Sequence, residues 1–178
     1  MAEIALRSAD VADAAAIARL HVAVWRQTYR DLAPREAFTA LDERYRLEKW
    51  REKLSRPQAD QLVLLAEQEN RLVGMGAAGA PSDDAFGGRG EIKFLYVDQA
   101  VKRQGIGRHL LRHLAMHLAE RRYPGAALSV VEGNRAAAAF YQALGARVIG
   151  RQVDPGPIWR SHNIIMAWDA LDGLPRQP

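Results

Sequence analysis

Apolar positions along the chain recur with two periods, and the switches between them lay out a series of elements. Ile4-Ala5-Leu6-Arg7 has the alternation of a short strand, and Ser8 or Asp10 can cap the helix after it. From Asp13 to Trp25 the apolar residues Ile17, Leu20 and Val24 fall at helical spacing. Pro34 restricts the residue before it and marks a break. A second helical region is predicted from Pro34 to Leu54, with Phe38, Leu41, Tyr45 and Leu47 available to pack, and Pro57 closes it. Leu62–Ala66 and Leu72–Ala77 are apolar runs of strand length separated by Glu69-Asn70, which predicts a hairpin. Pro81 to Gly90 has the composition of a loop.

Beyond that loop the spacing predicts a strand over Glu91–Val97, a helix from Gly107 to Arg122 and a strand over Leu128–Val131. A helix from Arg135 to Leu144 and a closing strand pair, Arg147–Val153 with His162–Trp168, complete the series. The order β-α-α-β-β-β-α-β-α-β-β mixes consecutive strands with βα crossovers. It predicts an α/β (α+β) architecture in which a mixed, mostly antiparallel sheet with one parallel step is flanked by helices. Residues 1–172 are expected to form a single domain, and 173–178 a loose C-terminal tail.

Composition narrows the function classes. At 178 residues the chain suits one domain, and 48% apolar with 26% charged residues excludes wholesale disorder. The chain has no cysteine, which rules out a disulfide framework, a zinc ribbon and a thiol nucleophile. The first residues lack the basic start and apolar run of a signal peptide, and no apolar stretch has bilayer-spanning length. A cytoplasmic setting without membrane contact is the expectation. The formal net charge is +4, and 21 of the 25 basic residues are arginine, a side chain whose planar fork suits carboxylates and phosphates.

The stretch from Asp98 to Arg108 carries the most chemistry. A strand enters it, Gly105 and Gly107 stand two apart, and a helix begins at once. Glycines let the backbone approach a ligand, and the first amides of a helix lack intrahelical partners at its positive end. With Lys102, Arg103 and Arg108 around them, these groups make an anion site suited to phosphate or pyrophosphate. A P-loop is excluded because Arg108-His109 follows Gly107 where lysine and serine or threonine are needed. A dinucleotide fingerprint is disfavoured by Leu110 and by the residues between strand and glycines.

Lys102-Arg103-Gln104-Gly105-Ile106-Gly107 resembles the hallmark loop of the GNAT superfamily of acetyl-CoA-dependent N-acetyltransferases, with Lys102 where arginine or glutamine is usual. Asn134 through Ala146, with Phe140-Tyr141 and Leu144-Gly145 inside it, resembles the family's second motif, although Ala146 replaces a common phenylalanine. His21, Trp25, Tyr29 and Pro34 look like one bacterial subset. The resemblance implies that the strands ending near Val97 and Val130 splay apart after running parallel. It further implies that acetyl-CoA, as cosubstrate, lies between them. Tyr96, Val97, Lys102, Arg103, Gln104, Gly105, Ile106, Gly107, Arg108, Asn134 and Tyr141 would then contact the cofactor. A main-chain N–H near Tyr96 or Val97 would stabilise the oxyanion of a tetrahedral intermediate.

The same resemblance assigns Tyr141 to protonating the departing thiolate, with Phe140 as the core residue beside it; ring packing alone is the alternative. Glu91 opens the strand into the loop, and its resemblance to a catalytic glutamate makes it the candidate base. Alternation puts Glu91, Lys93, Leu95 and Val97 on one face; an ion pair between Glu91 and Lys93, or solvent exposure at the strand start, is the competing reading. Glu132, at the end of the next strand, is the competing candidate base and one of the residues expected at the acceptor site. Trp25, Tyr29 and Trp159 are expected to wall that site, or simply to pack. His109, His113 and His117 recur every four residues, but lie at the edge of a leucine stripe and in no metal motif, so no metal is expected.

The function expected is transfer of acetyl from acetyl-CoA to a primary amine, on a small molecule or a protein, by direct attack. A non-catalytic acyl-CoA-binding sensor on the same fold is the alternative. Nucleic-acid binding through the basic stretch from Lys102 to Arg122, where Arg108 and Arg112 share a face, is disfavoured because no aromatic residues interleave. Pairing of strand edges would permit a homodimer.

Overall fold

Asp10 prepares the first helix. Its carboxylate accepts from the Ala12 amide at 2.7 Å while Asp13 accepts from the Asp10 amide at 2.8 Å, a reciprocal cap. In the computed structural model, which describes residues 3–172 and Leu174, the chain runs through β1 (Ile4–Ser8), α1 (Ala14–Thr28), α2 (Arg35–Ala40) and α3 (Glu43–Ser55). It continues through β2 (Leu62–Gln68), β3 (Arg71–Gly79), β4 (Gly90–Val97), α4 (Ile106–Glu120) and β5 (Ala126–Val131). It closes with α5 (Arg135–Ala143), β6 (Arg147–Asp154) and β7 (Ser161–Trp168).

The helical region predicted as one element between Pro34 and Leu54 is two. Asp42 is extended, and its side chain accepts from the Tyr45 amide at 2.8 Å, so a new helix starts inside the apolar pattern. The hairpin between β2 and β3 turns where expected, with Glu69 and Asn70 both left-handed, the backbone that a two-residue hairpin loop requires.

One seven-stranded sheet has the order β1-β2-β3-β4-β5-β7-β6. Every neighbouring pair is antiparallel except β4 with β5, as the element order predicts. Alternate residues of β2 feed two cores on opposite faces. Leu64 and Ala66 join the cluster of α4, around Leu110, Leu114 and Leu118, while Val63 and Leu65 join that of α1 and α3, around Ile17, Val24 and Trp50. Of the segment expected to be a tail, Leu174 is buried in the α4 core, and the remainder lies outside the described residues.

Alternation along β4 does not hold throughout. Its pairing with β3 slips between Ala77↔Phe94 and Ala78↔Ile92, so Lys93 is an extra residue. Ile92 therefore packs with Leu95 and Val97 on the α4 side, whereas Phe94 and Tyr96 pack against α1 and α3. The expectation that Glu91 and Lys93 share a face with Leu95 and Val97 is corrected by this bulge.

Candidate active site

Pairing between β4 and β5 ends after Gly90↔Ala126 and Glu91↔Ala127. Beyond it one edge of β4, from Ile92 to Val97, has no strand beside it, and a cleft of about 1170 Å³ opens there. Asp98 donates its amide to Val73 O on β3 at 2.8 Å. Because successive amides of a strand point in opposite directions, the Tyr96 amide also faces β3, and those of Leu95 and Val97 face the cleft. Buried backbone groups need partners, so this edge is suited to an extended ligand with amide character.

The cleft runs to the start of α4, and every residue from Lys102 to Arg108 borders it. Gly105 is the N-cap at φ +82°, a conformation that costs a residue with a Cβ about 1–2 kcal/mol. A Cβ built on it meets no protein atom within 4 Å, so a side chain there would enter the cleft rather than the protein. The first helical bond runs from the His109 amide to Gly105 O, and no side chain caps this end. The amides of Ile106, Gly107 and Arg108 are left to a ligand. Gly107 faces the Phe140 ring instead, where a Cβ would stand in ordinary van der Waals contact at 3.4 Å.

Asn134 caps α5 by accepting from the Ala137 amide at 3.3 Å, and together with Tyr96, Val97 and Tyr141 it borders the same cleft. Tyr141 is more buried than Phe140, the reverse of the expectation. Its ring meets Trp168 edge-on at 6.0 Å, while Phe140 lies half-buried against Gly107. The Tyr141 hydroxyl makes no hydrogen bond among the described residues, and burial, then the neighbouring Tyr29, raises its pKa well above the ordinary 10. Burial likewise raises Tyr29, whose phenol lies against the Asn134 side chain. Tyr29, Tyr96 and Tyr141 thus bring three neutral phenols together.

The expected carboxylates stand apart from the cleft. Glu91 occupies the last paired position of β4, where its Oε2 accepts from Lys93 Nζ at 2.9 Å and the Ser82 amide at 2.8 Å. Glu132 is exposed, bridges to Arg151 at 3.0 Å and does not border the cleft. Trp25 and Trp159 do not border the cleft but pack with Tyr29, which does: Trp25–Tyr29 is 5.3 Å, Tyr29–Trp159 5.4 Å and Trp25–Trp159 5.9 Å between ring centroids. The histidine row of α4 is taken up by backbone carbonyls, with His113 Nδ1 donating to His109 O one turn back and His117 Nε2 donating to Asp60 O, distant in the chain. Among the described residues no three metal-ligating side chains cluster.

Two groups escaped the sequence. Leu95 offers an amide, which no side-chain pattern reveals. Arg46 sits beside Trp25 and Tyr45, and its signal was its place next to the apolar stripe Leu47, Trp50 and Leu54 on α3.

Residues 24–146 match the model of the Acetyltransferase (GNAT) family. The chain belongs to that family. It is similar to the uncharacterized N-acetyltransferase YuaI of Bacillus subtilis (strain 168), 29% identical over 141 residues, which are 79% of this chain and 78% of that protein. Among solved structures, the PaiA N-acetyltransferase of Thermoplasma acidophilum, in complex with coenzyme A, superposes with a TM-score of 0.76 at 21% identity, over 94% of this chain and 99% of that one. The yncA protein of Salmonella typhimurium, with its cofactor acetyl-CoA, has a TM-score of 0.68 at 22% identity, covering 99% of this chain and 96% of that one. The mixed sheet with its single parallel pair is the GNAT fold. Among the described residues no helix is long and apolar enough to cross a membrane.

Proposed function

We propose that this GNAT-family protein transfers the acetyl group of acetyl-CoA to a primary amine by direct attack. One observation carries the reading: the open edge of β4 leads, within a single cleft, from the Tyr141 hydroxyl to the uncapped amides of Ile106, Gly107 and Arg108. Acetyl-CoA supplies an acyl thioester activated toward nucleophiles.

The residues divide the work. The α4 amides, with Lys102, Arg103 and Arg108 around them, hold the pyrophosphate. The Leu95 and Val97 amides face the arm and the thioester carbonyl, and one of them is the fixed donor that steadies the oxyanion as the amine nitrogen adds. As the new N–C bond is kept and the C–S bond breaks, Tyr141, neutral at any working pH, gives its proton to the leaving sulfur. Glu91 lies outside the cleft, so its part as base runs through water rather than by contact with the amine.

The reading is tested by coenzyme A release from acetyl-CoA over a panel of amines, with acetyl-CoA affinity measured by calorimetry on the same protein. Amine-dependent release is the expected result. Tight binding without release to any amine would instead identify a sensor of acyl-CoA, and absence of binding would remove both.

A further inference from the structure

We propose that Arg46 recognises a carboxylate on the acceptor, so that the amine acetylated here belongs to an amino acid or another amino-carboxylate. The proposal rests on the transferase reading and adds the chemical class of its second substrate.

Arg46 is singled out among the cations of α3 by its place beside Trp25 and not by burial alone, since Lys53 is also partly buried, its Nζ 6.0 Å from the Phe94 ring centre. Arg44 pairs with Glu48 at 3.4 Å and Lys49 with Glu52 at 3.7 Å, both on the exposed side. Arg46 turns inward and is half-buried, and its guanidinium pairs with no carboxylate among the described residues. Its Nε is fully buried without a hydrogen-bond partner. The guanidinium carbon lies 5.9 Å from the Trp25 ring centre and 5.7 Å from that of Tyr45. Aromatic faces steady the plane of a guanidinium but accept none of its five N–H groups in its own plane.

The position joins this cation to the site. Arg46 does not itself border the cleft, but Trp25, beside its guanidinium, packs on Tyr29 at 5.3 Å, which does border it, and meets Trp159 at 5.9 Å. His21, held neutral by burial, and Lys49, over the same Tyr45 ring at 6.0 Å, also stand nearby, and neither offers a countercharge. A partly desolvated cation whose buried Nε has no partner is costly unless something supplies the anion. A carboxylate matches that fork with two parallel bonds. Bound there, it would hold the acceptor at the Tyr29 wall, with its amine free to reach the thioester end of the cleft.

The test compares acceptors that differ only at the carboxylate. Free amino acids and their carboxamides are supplied with acetyl-CoA, and kcat/KM is measured for the native protein, Arg46→Gln and Arg46→Lys. The expected result is a preference of about 10²-fold or more for at least one amino acid over its amide. Arg46→Gln should abolish it mainly through KM, and Arg46→Lys should keep only part, while the affinity for acetyl-CoA stays unchanged in both. A binding arm needs no turnover: N-acetyl amino acids, with coenzyme A present, should raise the melting temperature of the native protein more than their amides do. Equal shifts, or a preference that survives in folded Arg46→Gln, would overturn the proposal. Acetylation confined to amines without a carboxylate would overturn it too, and leave the transferase reading standing.

Discussion

Trp50 donates its indole N–H to His21 Nδ1 at 3.0 Å, a buried hydrogen bond that ties α3 to α1 behind the aromatic wall of the cleft. Because Nδ1 accepts, the neutral imidazole carries its proton on Nε2. Burial, with the nearby Arg46 charge second, holds the His21 pKa well below the ordinary 6.5.

This lowered pKa makes stability depend on pH. Below pH 6.5 the unfolded chain binds a proton at this histidine and the folded one does not, so stability falls as pH falls through that value. The loss approaches about 1.4 kcal/mol per pH unit for one proton. Denaturant melts between pH 7.5 and 5.5 should show this slope, and it should be shallower in His21→Gln. Identical slopes in the two proteins would mean that His21 titrates normally.

Gly105→Val should fold, because a Cβ at this position meets no protein atom, with a modest loss from the left-handed backbone. The side chain would instead occupy the approach to the α4 amides. Acetyl-CoA affinity is expected to fall at least tenfold, about 1.4 kcal/mol. Calorimetry on the folded variant checks this, and unchanged affinity would refute the loop's role.

Tyr141→Phe keeps the ring against Trp168 and removes only the proton. Turnover should drop by roughly 10²-fold. Acetyl-CoA affinity should move by no more than one hydrogen bond, about 1 kcal/mol. The deficit should shrink with an acyl donor whose thiol is more acidic. Since burial raises this phenol's pKa above 10, the native pH–rate profile should show no falling limb from Tyr141 below that value.

Glu91→Gln separates two duties. Removing the carboxylate leaves Lys93 without its partner beside Lys53, so the melting temperature should fall with either duty. If the group also takes the amine's proton through water, turnover should fall by about 10²-fold or more. Stability lost with turnover intact would leave Glu91 the ion pair alone.

The elements were legible in the sequence because they rest on local physics. Strand and helix periods, the Glu69-Asn70 turn and the glycines before α4 act within a few residues, and so did the motifs that pointed to the cofactor cleft. Asp42 escaped because a cap inside an apolar pattern is visible only once its side chain is seen on the Tyr45 amide. The bulge at Lys93 escaped because register belongs to two strands at once, and it decided which face each residue of β4 serves. Distance in space decided the rest: Glu91 met Lys93 and the Ser82 amide, Glu132 met Arg151, and Arg46 met two aromatic rings and no carboxylate among the described residues. Composition and spacing determine which groups a chain owns and which local shapes it prefers. Whether a charge is answered or left open depends on residues brought together from distant parts of the chain, and only tertiary structure decides that.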